Sequence, residues 1–227
     1  MENYQLKKTG DGSFTIYLPG MDEHYHSLYG AMTESGHVFI RNGYLFEKSA
    51  APVVFEVGLG SGLNCLLTAC RAEKLKRPTT YYAVDKYPLA NEITGKLNYG
   101  ASISEAAAEW YSRIHSCPWE TMHPINDYCR LLKMKRDITG NAEWIPEEKC
   151  NMIYFDAFGP DKQPEMWVPA IFSRLYRMTV PGGVFVTYSA KGLIRRQLTA
   201  AGFQMERLPG PPGKKEMLRG IKMESTH

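Results

Sequence analysis

The pattern of hydrophobic and polar positions changes at Pro52. Beyond that residue, short apolar or alternating runs recur along the chain, at residues 53–58, 79–85, 128–137, 152–158 and 184–189. Runs of this length, rich in β-branched and aromatic residues, are typical of strands, and the unbroken ones of strands buried on both faces. The stretches between them carry apolar residues at helical spacing. Strands that alternate with helices predict a mostly parallel sheet covered by helices.

Both ends of the chain favour antiparallel pairs instead. Residues 4–18 alternate around a turn cluster that begins at Thr9, and Arg41-Asn42-Gly43 predicts a second hairpin between HVFI and YLFE. Residues 203–222 predict two closing strands around a Gly-Pro-Pro-Gly turn.

The fold class that follows is α/β. We predict a Rossmann-like domain over residues 51–227, with a seven-stranded, mostly parallel sheet that ends in an antiparallel hairpin. Residues 1–50 are predicted to form a β-rich N-terminal extension.

Composition narrows the class of protein. With 44% apolar and 22% charged residues, the chain is neither disordered, collagen-like nor a coiled coil. The five cysteines include no C-x-x-C pair, so no thiolate metal site is expected, and their odd number favours a reducing compartment. The N-terminus lacks the apolar core of a signal peptide, and no apolar run approaches the ~20 residues of a membrane helix. We expect a cytoplasmic protein with no membrane partner.

The segment from Glu56 to Asn64 carries the first chemical signal. It places Gly58, Gly60 and Gly62 between a strand and a helix, where glycines let the backbone approach a ligand closely. The third glycine comes one residue too early for a dinucleotide fingerprint. An acidic residue followed by G-x-G-x-G resembles the first motif of class I S-adenosylmethionine-dependent methyltransferases. Glu56 would then orient the loop or reach the cofactor's amino group through water, and a mere packing role for the loop is the alternative.

Three aspartates end predicted strands. Asp85 lies 23 residues after Gly62 and is placed to accept hydrogen bonds from ribose hydroxyls, although a lone Asp there also suits a turn. Asp137 suits an adenine amino group or, equally, a solvated charge. Asp156 lies at the carboxyl edge of the sheet, where such folds bind ligands, and capping of the next loop is its alternative role.

A more specific resemblance covers nearly the whole chain. The stretch IYFDAFGPDKQPEMW at 153–167 is similar to the signature of the methyltransferase domain of MnmC-like tRNA modification enzymes. The segments DEHYHS at 22–27, VDKYPL at 84–89 and GKKEML at 213–218 resemble further motifs of that family. The resemblance implies methylation of the aminomethyl group of 5-aminomethyl(-2-thio)uridine at the tRNA wobble position, with S-adenosyl-L-methionine as cofactor.

The resemblance also implies roles for single residues. Asp156 is the expected catalytic residue, and Tyr25, Ser27 and Phe158 are expected near the substrate. The cofactor is expected to contact Glu56, Gly58, Gly60, Gly62, Asn64, Asp85, Lys86 and Asp137.

Two departures from the family pattern stand out. Fused members carry a second, flavin-binding domain, for which 227 residues leave no room. The resemblance thus implies a stand-alone methyltransferase, with a separate flavoprotein acting upstream. In addition, His26 occupies a position where an aromatic residue is usual.

The implied chemistry is direct displacement, in which the substrate amine attacks the methyl group, so no nucleophilic cysteine is needed. A tRNA substrate requires cationic surface. Between Lys191 and Lys222 there are eight Lys or Arg residues and two acidic ones, which favours a phosphate-binding patch over the alternative of a solvated charged face. The predicted patch consists of Arg195, Arg196, Lys214, Lys215 and Arg219.

Two other functions fit the same residues. One is an enzyme that acts on a small amine, as an N-methyltransferase or a polyamine aminopropyltransferase. The other is a nucleic-acid-binding module of the same fold that has lost turnover.

Overall fold

The computed structural model describes residues 4–140 and 148–224. Its main feature is a sheet of eight strands, one more than predicted, in the order β10-β11-β9-β8-β4-β5-β7-β6. These strands are β4 Val53–Val57, β5 Thr79–Asp85, β6 Met122–Asn126, β7 Cys129–Lys135, β8 Cys150–Phe155, β9 Thr179–Thr187, β10 Gln204–Pro209 and β11 Glu216–Ile221. The five central strands are parallel, whereas β6, β10 and β11 are antiparallel to their neighbours.

The eighth strand is β6, which the sequence did not reveal. It pairs with β7 across a two-residue turn at Asp127 and Tyr128, and it contains Pro124. Proline cannot donate to a strand ladder and is confined to sheet edges, and β6 is an edge strand. The predicted closing hairpin is confirmed as β10 and β11.

Helices cover both faces of the sheet. They are α1 Ala31–Ser35, α2 Leu63–Leu75, α3 Asn91–Thr94, α4 Glu105–Ser116, α5 Pro169–Met178 and α6 Gly192–Ala201. Successive residues of a strand face opposite sides, so Val54 and Tyr154 belong to the core beneath α2 and α4, whereas Phe55 and Phe155 belong to the core beneath α5 and α6.

The N-terminal region forms a small sheet of its own, from β1 Gln5–Lys8, β2 Phe14–Leu18 and β3 Glu23–His24. The first predicted hairpin is therefore confirmed as β1 and β2. The second, over HVFI and YLFE, is wrong: α1 continues there into a π-helix, Gly36–Tyr44. Asn42-Gly43 is a strong hairpin signal, but packing outweighs it here. A β-carbon on Gly43 would lie 3.1 Å from the Tyr154 ring and 3.3 Å from Val186, so the backbone lies directly on the sheet.

The parallel arrangement brings four loops together. The carboxyl ends of β4, β5, β7 and β8 lie at one edge of the sheet, as the register of their pairing requires. The loops that follow these strands therefore meet at that edge, where open α/β sheets bind ligands. Among the described residues, no helix has both the length and the hydropathy needed to cross a membrane. The predicted loop 139–149 lies mostly outside the described residues.

Candidate active site

A cavity of about 330 Å³ opens at the carboxyl edge of the sheet. Its volume is within the usual range of small-molecule sites, about 300–1,000 Å³. The loops after β4, β5, β7 and β8 form one side, and residues of the N-terminal region form the other. The predicted site residues that line it are Tyr25, Gly58, Gly60, Asp85, Lys86, Asp137, Asp156 and Phe158.

The glycine loop takes a backbone path that only glycine follows without strain. Gly58, Gly60 and Gly62 all have positive φ, of 88°, 48° and 73°. A β-carbon on Gly58 would lie 2.9 Å from the carbonyl oxygen of Asp156, and one on Gly60 would lie 3.0 Å from the ring of Tyr25. The loop thus lies directly against two predicted site residues, as a cradle for a bound ligand.

Behind the loop, Asn64 joins two carboxylates. Its Nδ2 donates to Glu56 Oε1 at 2.9 Å and to Asp156 Oδ2 at 2.7 Å. Glu56 is fully buried, and burial raises its pKa well above the ordinary value. Burial, helped by the neighbouring Glu34 carboxylate, raises the pKa of Asp156 to about 7. Three of the residues predicted to contact the cofactor are not among the described residues that line the cavity, namely Glu56, Gly62 and Asn64. They lie behind the wall and support the residues that form it.

Asp85 fixes the glycine loop from the other side. Its Oδ2 accepts from the Gly60 N–H and its Oδ1 from the Tyr87 N–H, each at 2.8 Å. A carboxylate oxygen has two lone pairs, so each oxygen keeps one for a ligand hydroxyl. Burial raises the pKa of Asp85, although the two backbone bonds oppose that change.

Lys86 and Asp137 form an ion pair at the far end of the cavity. Lys86 Nζ lies 2.8 Å from Asp137 Oδ2, and both side chains are partly exposed. The hydrogen bonds from Lys86 and Thr139 lower the pKa of Asp137 to about 2. Asp137 is thus a partly exposed charge with two hydrogen-bond donors beside it. An adenine amino group would have to share its oxygens with these donors.

Two aromatic side chains stand next to Asp156. The rings of Tyr25 and Phe158 meet edge to face, with centroids 5.0 Å apart. Phe158 is fixed by its backbone, whose N–H donates to Gln163 Oε1 and whose carbonyl accepts from Trp167 Nε1. Planar rings of this kind can pack against a flat substrate while Asp156 faces its polar group.

Ser27 does not line the cavity among its described residues. Its backbone N–H donates to Glu34 Oε2 at 2.8 Å, and the other oxygen of that buried carboxylate pairs with Lys214 Nζ at 2.5 Å. Lys214 also lies over the ring of Tyr188, 3.8 Å from its centroid. Its ammonium group is therefore engaged near the site and does not face outward as a free phosphate contact.

The other predicted phosphate contacts divide into two groups. Lys215 and Arg196 are exposed, and Arg195 is partly exposed. Arg219 is 9% exposed, pairs with Glu206 at 2.7 Å and stacks on Phe46. Strand β11 is buried from Met217 to Gly220, so Arg219 lies inside the fold, which the excess of positive charge along the sequence could not show.

His26 has a role that sequence reasoning missed. It is buried, and its Nε2 lies 2.6 Å from the Ser61 Oγ in the glycine loop. The Ser61 carbonyl oxygen accepts from Tyr111 at 2.8 Å and lies 3.2 Å from His115 Nε2. Burial lowers the pKa of both histidines to about 4. The departure from an aromatic residue at position 26 therefore supplies a neutral hydrogen-bond partner for the loop.

These residues fit the predicted cofactor. Asp85 has free lone pairs for a ribose, and the glycine backbone offers a cradle that a β-carbon would fill. Glu56 Oε2 and Asn64 Oδ1 are buried and have no hydrogen-bond partner among the described residues, so polar acceptors remain behind the loop for an amino group or its water.

Comparison with known proteins gives a consistent picture. A family described as S-adenosyl-L-methionine-dependent methyltransferase matches residues 100–223. The tRNA 5-methylaminomethyl-2-thiouridine biosynthesis bifunctional protein MnmC of Pseudomonas paraeruginosa is 31% identical over 219 residues, 86% of this chain and 32% of that protein. The protein of the same name from Paraburkholderia phymatum is 28% identical over 222 residues, 91% of this chain and 33% of that protein. The chain spans about a third of the length of the curated relatives it matches.

Solved structures extend the likeness to the fold. The crystal structure of MNMC2 from Aquifex aeolicus has a TM-score of 0.79 and 20% identity, and the match covers 100% of this chain and 74% of that chain. At this identity the likeness shows the fold alone, and it confirms the predicted Rossmann-like class.

Proposed function

This chain belongs to the family of S-adenosyl-L-methionine-dependent methyltransferases, and we propose that it methylates an aminomethyl group on the wobble uridine of tRNA. The product would be 5-methylaminomethyl(-2-thio)uridine. The names of the relatives from Pseudomonas and Paraburkholderia support this substrate, since they specify biosynthesis of that nucleoside.

One structural observation carries the proposal. Asp156 lies where the glycine loop, the Asn64 amide and the aromatic pair Tyr25 and Phe158 converge on the cavity. A carboxylate beside two aromatic rings suits a planar base that carries a basic amine. The rings would pack against the uracil, and the carboxylate would accept hydrogen bonds from the amine.

The cofactor would lie along the other half of the cavity. Asp85 would hold its ribose, Lys86 and Asp137 would lie at its adenine end, and Glu56 with Asn64 would support the loop against its amino acid part. When bound, S-adenosyl-L-methionine supplies an electrophilic methyl group on sulfur. The glycine loop and Tyr25, which lie against each other, would hold that end of the cofactor beside Asp156.

Asp156 has the properties that amine methylation requires. A free alkyl amine has a pKa near ~10, so it must lose a proton before its nitrogen can attack. Asp156, with a pKa of about 7, can aim the amine and accept that proton at Oδ1 or Oδ2. The N–C bond then forms as the S–C bond breaks, and the proton passes from Asp156 to solvent. Orientation alone can contribute ~7–11 kcal/mol to such a reaction.

A tRNA substrate would also contact the surface. Of the predicted cations, Lys214 and Arg219 pair with acidic side chains. We assign the phosphate contacts to the other three, which are the exposed Arg196 and Lys215 and the partly exposed Arg195. We further propose that a flavoprotein acts upstream and supplies the free aminomethyl group; the name of the relatives, a bifunctional protein, supports a second activity in the same biosynthesis.

The deciding experiment is single-turnover transfer of labelled methyl from S-adenosyl-L-methionine to tRNA that bears 5-aminomethyluridine. The control is the same tRNA with an unmodified wobble base, and nucleoside mass spectrometry identifies the product. We expect label only on the aminomethyl nucleoside. If no transfer occurs although the cofactor binds, the substrate is a small amine instead. If the cofactor does not bind at micromolar concentration, the chain is a non-catalytic module of this fold.

A further inference from the structure

The buried pair of Glu34 and Lys214 lies beside the site but belongs to neither the cofactor nor the substrate wall of the cavity. Its partners come from opposite ends of the chain, Glu34 from α1 and Lys214 from the loop between β10 and β11. The side chain of Glu34 is 7% exposed and that of Lys214 is 33% exposed. An ion pair removed from water to this extent loses solvation, so its presence beside a reactive carboxylate calls for an explanation.

The pair is joined to Asp156 through Tyr188. Lys214 Nζ lies over the Tyr188 ring, and the Tyr188 hydroxyl donates to the carbonyl oxygen of Ala157 at 2.9 Å. Ala157 directly follows Asp156. On the other side, Glu34 is fixed by the N–H of Ser27, two residues after Tyr25 in the cavity wall. Both charges are thus held in place close to the Asp156 carboxylate.

We propose that Glu34 and Lys214 are positioning residues that together set how readily Asp156 takes up and releases a proton. The proposal rests on the proposed role of Asp156. Burial together with Glu34 favours the protonated form of Asp156, because a poorly solvated site disfavours a charged carboxyl group and two carboxylates there repel each other. Lys214 offsets that repulsion, so Asp156 can be ionised when the amine arrives and can still accept its proton.

Besides burial, two charged groups and one hydrogen bond act on Asp156. Glu34 opposes ionisation of Asp156, whereas Lys214 and the hydrogen bond from Asn64 favour it. The buried Glu56 lies on the far side of Asn64. Other titratable groups lie near the pair or at the same end of the cavity, namely Glu23, Tyr25, His26, Glu165 and Tyr188. The rest of the cavity wall adds Tyr4, Asp85, Lys86, Tyr87, Arg136 and Asp137. Of the cations among the described groups, Lys214 is the one that faces Asp156.

The test is a titration of Asp156 in the full-length chain, labelled with ¹³C at the aspartate carboxyl carbons. The Asp156→Asn variant identifies the signal. We expect Lys214→Met to move the midpoint upward by about one pH unit and Glu34→Gln to move it downward by a similar amount, the lower end of the effect of a close charge. The double variant should return near the wild-type midpoint, and Lys214→Arg should leave it unchanged.

A matched control removes a different cation from the same hairpin. Arg207 of β10 pairs with Glu216 of β11 at 3.6 Å, and both side chains are partly exposed, so Arg207→Met should not move the midpoint. Turnover gives a second readout: in Lys214→Met, kcat at pH 7 should fall about fivefold and recover by pH 9, as expected when the pKa rises by about one unit. Midpoints of Lys214→Met and Glu34→Gln that both match the wild type would overturn the proposal. If Lys214→Met does not fold, the Glu34→Gln variant decides alone. A downward shift of its midpoint supports the proposal, and an unchanged or higher midpoint contradicts it.

The titration needs no substrate. A shift in the expected direction together with no methylation of tRNA would contradict the proposed function and leave the pair's role intact. Methylation of tRNA with no shift of the Asp156 midpoint would support the proposed function and contradict the role of the pair.

Discussion

The two halves of the cavity are built in different ways. The half that we assign to the cofactor uses the glycine loop, Asp85, Lys86 and Asp137, all from one continuous α/β stretch. The half that we assign to the substrate takes Tyr25 from the N-terminal region and Asp156 and Phe158 from the loop after β8, and the Tyr188–Lys214 contact from the far end of the chain supports it from outside the cavity wall. The first half depends on local backbone geometry, whereas the second exists only once distant segments have packed together.

The two halves also treat a carboxylate oppositely. Asp137 is partly exposed and receives hydrogen bonds from Lys86 and Thr139, which lower its pKa to about 2. Asp156 is poorly solvated and has Glu34 nearby, which raises its pKa to about 7. A permanently charged acid suits recognition of a ligand, and an acid that titrates near neutral pH suits proton transfer. The comparison therefore separates a binding half from a reacting half.

The largest expected effect comes from the reacting half. Asp156→Asn should lower kcat about 10²–10⁴-fold, the usual size for loss of a group that handles a proton. The dissociation constant of S-adenosyl-L-methionine, measured by calorimetry, should change by no more than a few-fold. Asp161→Asn is the matched control, since Asp161 is exposed and pairs with Lys191. Near-normal turnover of Asp156→Asn would remove this residue from the mechanism.

The binding half should respond the other way. Asp85→Ala removes the acceptor that we propose for both ribose hydroxyls, and it removes the bond to the Gly60 N–H. We expect about 10- to 100-fold weaker cofactor binding, since hydrogen bonds to charged groups contribute about 1.5–3 kcal/mol. At saturating cofactor, kcat should be close to that of the wild type. A large loss of kcat there would show that the halves are not separable.

A smaller effect is expected from the surface. Replacing Arg195, Arg196 and Lys215 by Ala should raise KM for tRNA and leave kcat unchanged. Each lost phosphate contact should reduce the slope of log affinity against log salt by about one. Equilibrium binding between low and high salt measures this slope. Arg219→Met is the contrasting variant: because Arg219 is buried and paired with Glu206, we expect a lower melting temperature and an unchanged salt slope.

The smallest effect lies at the seam between the halves, where His26 meets Ser61. The pKa of His26 is lowered to about 4 in the folded chain, while an unfolded histidine has its usual value near 6.5. Between these values the unfolded state binds the proton, so stability is lost as pH falls below about 6.5. From pH 7.5 to 5.5 this amounts to about 1 kcal/mol for His26. Urea unfolding at both pH values measures it, and His26→Gln should lose that part of the dependence.

The sequence predicted the binding half well because its signals are local. The order strand, glycine loop, helix is contained within residues 53–75, and the positive φ values at Gly58, Gly60 and Gly62 agree with it. The roles of the individual site residues remain predictions that the experiments above test. Asp85 and Asp137 could be placed at strand ends because each is the last residue of an apolar or alternating run in the sequence.

The rest required three-dimensional packing. Glu34 and Lys214 are 180 positions apart, and no spacing rule joins them. Lys214 and Arg219 look like surface cations in the sequence, but the fold turns both toward acidic partners. The π-helix over Gly36–Tyr44 contradicts a hairpin signal at Asn42-Gly43 for the same reason, because contact with the sheet outweighed the local preference.

The π-helix has a further consequence for folding during synthesis. Its apolar residues Val38, Phe39 and Tyr44 are fully or almost fully buried, and Phe39 packs on Tyr154 of β8. A ribosome makes that segment more than a hundred residues before it reaches β8 and β9. At a synthesis rate of roughly 5–20 residues per second, the apolar residues of the π-helix are made on the order of ten seconds before the strands that bury them. During that interval the nascent chain offers a hydrophobic patch to chaperones, and slower translation prolongs it.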